Sequence, residues 1–309
     1  MGQGKVRQGG VKMEFEEDTY RSDSFHKKQQ NLKWGRIQRQ PDEENYQQSN
    51  FYKLFALQLL SPGRIVAIFF MAILFAELLL FAGSINEGLS LHFLALVSIP
   101  LMVVIIRNRT AVYALQALML LPLLRLVNVS MPASEAPLLL FIAVYVPLLV
   151  PVYLLIRHQG LTDVELGVVY DRLATYIPLA IVLGILLGAG QYILLGSGYI
   201  IPGLPEPFIL VFAGIVLFYV GLMEELIFRS LIQTKLEGLF GMMPGLLAAS
   251  LLFGVMHSVY GEMSEIVYIF AMGIVLGYMF QRTRSLPLVA VAHGTANIVL
   301  FVLLPVVLL

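Results

Sequence analysis

From Ile65 to the C-terminus the chain alternates between long unbroken apolar runs and short polar or Gly/Pro-rich breaks. The runs fall at about 65–82, 89–106, 110–129, 137–156, 175–195, 207–228, 244–259, 265–281 and 287–309. Each is near the ~20 residues a helix needs to cross ~30 Å of hydrocarbon. The apolar positions are continuous rather than alternating, and a backbone in lipid must satisfy its own hydrogen bonds, so the pattern predicts helices and not strands. The predicted fold is all-α: a polytopic transmembrane bundle of nine spans, or of eight if short stretches re-enter on one side.

Residues 1–64 are of another kind. They hold eleven of the basic residues and eight of the acidic ones, in Gln-rich, mixed-charge text such as Lys27-Lys28-Gln29-Gln30 and Pro41-Asp42-Glu43-Glu44. With too few apolar residues to bury a core, this tail is expected to be disordered. No apolar stretch follows Met1 at the distance a signal peptide requires, and Val6 stands where the myristoylation pattern needs Ser or Thr.

The basic residues set the expected direction, because they collect in cytoplasmic loops. With the tail inside, the inner loops carry Arg107 and Arg109, Arg157 and Arg172, Arg229 and Lys235, and Arg282 and Arg284. The outer loops, 83–88, 130–136, 196–206 and 260–264, carry no Lys or Arg. The expectation is an integral, multi-pass protein with a cytoplasmic N-terminus.

Composition sharpens this picture. Of 309 residues 58% are hydrophobic and 13% charged, against about one quarter charged in soluble domains. Lys+Arg and Asp+Glu both total 20, so there is no basic footprint for nucleic acid. The absence of cysteine excludes disulfides, thiolate catalysis and thiolate metal sites.

Ionisable groups cost several kcal/mol at membrane depth, so each that remains there asks for a reason. They are Glu77, His92, Arg125, Glu224, Glu225, Arg229, His257 and His293. Glu77 and Arg125, single on early spans, are expected to pair with each other or with backbone groups. His92 lies near a predicted outer end, where an imidazole reaches water, and is given no role. The Tyr and Phe residues read as packing and interfacial anchors.

The C-terminal spans differ because their polar residues are spaced. Glu225 and Arg229 are four apart and share a helix face, so the guanidinium neutralises that carboxylate; Glu224, rotated by about 100°, is left without this partner. His257 follows Phe253 by four, and Asn297 follows His293 by four, so each pair projects to one side. A carboxylate beside an imidazole can hold and deprotonate a water molecule, and His and Asn donors can stabilise an oxyanion in a dry site. Gly254 and Gly294 allow close approach of backbone or substrate.

At these positions the sequence resembles the CAAX protease and bacteriocin-processing family, membrane endopeptidases that include the CAAX prenyl endopeptidase. The family pattern appears here as Glu224-Glu225-x-x-x-Arg229, Phe253-x-x-x-His257 and His293-x-x-x-Asn297, in order and on successive spans. The likeness covers about 207–300, and Gly160 to Gly167 resembles a cytoplasmic turn seen upstream in the family. The resemblance implies that Glu224 activates water with His257, that His293 and Asn297 form the oxyanion site, and that Glu225 and Arg229 hold the constellation together. Members are described both as metalloproteases and as metal-free glutamate proteases. Two His and one Glu have the composition of a zinc site, but no His-Glu-x-x-His helix is present; no cofactor is favoured, with zinc the alternative.

The expected organisation is thus a cytoplasmic tail over 1–64, N-terminal transmembrane helices over 65–173, and a catalytic transmembrane core over 174–309. The expected partners are the lipid bilayer and a membrane-associated protein or peptide substrate. The rival readings are a membrane transporter, which the lack of internal repeats disfavours, and a non-catalytic scaffold or immunity protein. One tension remains: a seventh span starting near Pro244 puts His257 about 20 Å along its helix, whereas His293 lies only about 10 Å past Leu286.

Overall fold

The computed structural model describes residues 61–130, 137–170, 172–195, 206–258 and 261–308. The tail expected to be disordered falls outside these residues except at its last four positions. There the first helix already begins at Pro62, inside the predicted tail, because proline fits the first helical position and carries Gly63 and Arg64 into the first turn.

The predicted helices form, and the described residues contain no strand. They are α1 (Pro62–Phe81), α2 (Ile85–Ile105), α3 (Arg109–Ser130), α4 (Leu138–Gln159), α5 (Leu173–Leu195), α6 (Pro207–Phe240), α7 (Met242–Val255), α8 (Met263–Thr283) and α9 (Leu286–Val307). All but α7 are long and apolar enough to cross a membrane, which makes eight such helices among the described residues. The protein is an all-α, multi-pass membrane bundle whose exposed large side chains, among them Ile68, Phe75, Leu186 and Ile193, are apolar as lipid contact requires.

Two helices depart from the predicted spans, and they do so together. α6 does not stop near residue 228 but runs to Phe240, through a π-helical stretch at Leu226–Gln233. Arg229, Gln233 and Glu237, which read as the start of a polar loop, are buried. Gln233 donates to Glu237 at 2.7 Å and to the Gly277 carbonyl of α8 at 2.9 Å, Gln281 donates to Glu237 at 3.0 Å, and Arg284 pairs with Glu237 at 2.6 Å. Satisfied side chains let the helix continue where unsatisfied ones would have ended it. After the turn at Gly241, α7 doubles back with only 14 residues, or about 21 Å.

α9 packs between α5 and α6. On α5, a Cβ at Gly184 would collide with the Ala292 carbonyl, and one at Gly188 would lie 2.5 Å from the Ala296 carbonyl, so these glycines let the two backbones touch. The Gly160 to Gly167 turn forms a capping box in which Thr162 and Glu165 bond reciprocally. The Thr162 main-chain N–H, and then its hydroxyl, hold the Glu165 carboxyl below the usual carboxylate range. This turn pins α6 and α9 at one level: Ser230 donates to the Leu166 carbonyl at 2.6 Å, and the Leu286 N–H donates to the Gly167 carbonyl at 2.7 Å.

Candidate active site

The centre of the site is a buried chain of charges on α6 and α9. Arg229 Nε donates to Glu225 Oε2 at 2.9 Å, the predicted four-residue pair. The other Glu225 oxygen, Oε1, accepts from His293 Nδ1 at 2.8 Å. Both Glu225 oxygens are therefore engaged, and Glu225 and Arg229 are wholly buried. The Arg229 guanidinium also stacks 4.7 Å from the centre of the Phe253 ring, a cation–π contact that compensates a desolvated cation.

Glu224 points elsewhere, as its rotation on the helix requires. Its Oε2 lies 3.5 Å from His293 Nε2, longer than a direct hydrogen bond. Its Oε1 accepts from the hydroxyl of Tyr145, on α4. Helix geometry in the sequence left Glu224 without a partner; the partner comes from 79 residues upstream. Tyr219 completes the arrangement by donating to the Tyr145 main-chain carbonyl at 2.9 Å. Neither tyrosine stood out among the fourteen in the sequence, and no local signal distinguishes them.

His257 lies just beyond the end of α7, and its Nδ1 is 3.0 Å from the Phe253 carbonyl. A carbonyl only accepts, so Nδ1 is the donor in this bond. The Phe253 ring stands edge-on to both imidazoles, 5.4 Å from His257 and 5.7 Å from His293. The difference in depth expected from the sequence thus vanishes. Because α6 continues 15 residues past Glu225, about 22 Å, α7 starts that much further out and its return brings Phe253 and His257 back to the level of the glutamates.

Asn297 lies one turn after His293 and donates from Nδ2 to the Leu217 carbonyl of α6 at 3.3 Å. Glu224 and His293 are nearly buried, whereas His257 and Asn297 are partly exposed. The close approach of α6 and α9 here depends on glycine: a Cβ at Gly221 would lie 2.9 Å from the Gly294 nitrogen and 3.1 Å from its Cα. Gly221→Ala is expected to push the Glu224 and His293 helices apart and lower activity by about 10²-fold, measurable as turnover of detergent-purified protein that still migrates as a monodisperse species. Gly254 serves α7 and α8 in the same way, with Ile266 and Phe270 against it.

A second ionic cluster, from the first three helices, reaches the same segment. Arg125 grips Glu77 with two bonds, Nε to Oε1 at 2.8 Å and Nη2 to Oε2 at 2.6 Å, as their isolation in the sequence predicted. The expectation for His92 is corrected: it is wholly buried rather than at a wet helix end, with Nε2 3.0 Å from Glu77 Oε1. Burial of an anion at Glu77 is what draws in every nearby donor. Arg125 also donates to the Met256 carbonyl, and Ser258 donates to Glu77 Oε2 at 2.7 Å. The two residues flanking His257 are therefore tied to α1 and α3.

Of the clustered site residues, the two His and one Glu that could face a zinc ion are His257, His293 and Glu224. One oxygen of Glu224 holds Tyr145, and the Nδ1 atoms of His293 and His257 hold Glu225 and the Phe253 carbonyl. Among the described residues no three His, Asp or Glu side chains are grouped to hold a metal ion.

Comparison with known proteins agrees with the geometry in one respect. Residues 206–299 match the family model of the type II CAAX prenyl endopeptidase Rce1-like proteins. No curated protein and no solved structure matches the chain. The matched segment contains Glu224, Glu225, Arg229, His257, His293 and Asn297, and excludes Tyr145 and the Glu77–Arg125 cluster.

Proposed function

We propose, from the premise that residues 206–299 carry the core of a CAAX-type intramembrane endopeptidase, that the chain hydrolyses a peptide bond in a membrane-associated protein or peptide with Glu224 as the base. The observation that carries this reading is the contrast between the two adjacent glutamates. Glu225 is enclosed by Arg229 and His293, whereas Glu224 presents Oε2 beside His293 Nε2. Two atoms 3.5 Å apart can both contact one water molecule at about 2.8 Å. Glu224 takes the proton from that water as it attacks the substrate carbonyl.

Glu225 fixes the orientation of His293, in the way a buried carboxylate orients a catalytic imidazole. The proton that Glu224 takes from water passes to the nitrogen of the leaving amine as the C–N bond breaks, and His257, oriented by the bond from Nδ1 to the Phe253 carbonyl, relays it. Asn297 uses one N–H on Leu217 and has a second to donate to the oxyanion. The reaction needs no metal in this scheme, since carboxylate, imidazoles and carboxamide cover deprotonation, protonation and charge stabilisation. With the N-terminus cytoplasmic, the basic inner loops put the C-terminal half of α6 toward the cytoplasm, and substrate enters from that side or from the inner leaflet.

The test is cleavage of an internally quenched peptide ending in a prenylated cysteine and three further residues, by full-length protein in detergent. Wild type is expected to cleave it and His257→Ala to lose at least about 10²-fold in rate. A chelator is expected to leave the rate unchanged; loss restored specifically by zinc overturns the metal-free scheme. Solute flux in proteoliposomes that persists in Glu224 and His257 variants, with no cleavage in wild type, points instead to a transporter.

A further inference from the structure

We infer that Tyr145, outside the segment matched by the family model, is a positioning residue that fixes the orientation of the Glu224 carboxylate so that one oxygen is turned to the water. The inference rests on the proposed role of Glu224. A glutamate carboxylate turns broadly about its last torsion, so the direction its oxygens face is loose unless something holds it. Here the Tyr145 hydroxyl holds Oε1, and Oε2 is thereby the oxygen facing His293 Nε2.

The donor is itself held. Tyr145 is buried, at 6% exposure, and its backbone carbonyl accepts from Tyr219 on α6, five residues before Glu224. Two phenols thus stitch α4 to α6 in opposite senses: α6 grips the α4 backbone, and α4 grips the α6 carboxylate. Such a reciprocal pair fixes both the helix register and the side chain that depends on it.

The hydroxyl gives the Glu224 carboxylate one fixed donor. The titratable and charged groups on the elements beside Glu224 include Glu225, Arg229 and Tyr219 on α6 itself, His293 on α9 and Tyr145 on α4. Of these, Tyr145 donates a hydroxyl hydrogen bond directly to Glu224.

Tyr145→Phe removes one oxygen and keeps the ring. In the quenched-peptide assay it is expected to lower kcat about tenfold with KM unchanged. The pH of half-maximal rate on the acid side should rise by about one unit, because a hydrogen bond to a charged group is lost. As a second variant, 3-fluorotyrosine at position 145 keeps the donor and makes it more acidic; it should preserve kcat and move the acid-side midpoint down. A purely structural tyrosine predicts no opposite displacements. The inference is overturned if both variants retain the wild-type pH profile, or if Tyr145→Phe raises KM alone. Glu224→Gln separates the two readings: full activity in that variant refutes the base, whereas an inactive Glu224→Gln beside an unaltered Tyr145→Phe refutes only the positioning role.

Discussion

Glu224→Gln is expected to lower peptide turnover by about 10³-fold or more while leaving the protein folded. Glutamine keeps the size of the side chain and an oxygen that can still accept from Tyr145, so packing at the junction of α4 and α6 is preserved. It cannot take a proton at neutral pH, which removes the base and nothing else. Glu225→Gln should behave differently. Its carboxylate faces Arg229 and His293 at 2.9 and 2.8 Å, so its neutralisation leaves a buried cation without its counter-charge and is expected to cost folding stability as well as activity. Thermal unfolding in detergent alongside the cleavage assay distinguishes the two: the first variant loses rate at unchanged Tm, the second loses both. Equal loss of Tm in both variants would falsify the division of labour between the adjacent glutamates.

Arg125→Met is expected to destabilise the protein by about 3–5 kcal/mol, since it strands the Glu77 carboxylate in the interior. His92 and Ser258 still approach that carboxylate, but neither supplies a permanent charge. The double variant Glu77→Met, Arg125→Met should recover much of the loss, because replacing a buried pair by apolar side chains is often close to neutral. Stability is read from denaturant unfolding in mixed micelles, and a non-zero coupling in the double-mutant cycle identifies the pair. Activity need not return with stability. The double variant also lacks the bonds from Arg125 to Met256 and from Ser258 to Glu77, so His257 between them loses its anchor; a stable protein with reduced kcat is the expected result. Full recovery of kcat would show that the first three helices do not fix His257.

The parts of this molecule legible in the sequence were those written in contiguous text. Long apolar runs located eight membrane-crossing helices and the shorter α7, because span length is set by the bilayer and little else resembles it. The four-residue spacing from Glu225 to Arg229 gave their pairing, because helix geometry alone brings them together. The end of α6 was hidden, since Gln233 and Glu237 look like loop residues until Gln281 and Arg284, more than forty positions later, satisfy them. His92 was misjudged for the same reason: its burial depends on Glu77 and Arg125, which the sequence holds apart. Tyr145 was invisible because its distinction is a single long-range hydrogen bond, and in the text it is one aromatic residue in an apolar run.

The shortness of α7 has a consequence for how polar molecules cross the surface of the protein. Fourteen residues fall about 9 Å short of the ~30 Å of hydrocarbon that its neighbours traverse. Lipids around such a deficit thin locally or tilt their headgroups inward. On the face where α7 ends, the aqueous phase is therefore expected to dip toward the interior. The proposed hydrolysis needs a supply route for water, and a truncated helix is expected to provide one without a pore through the bundle.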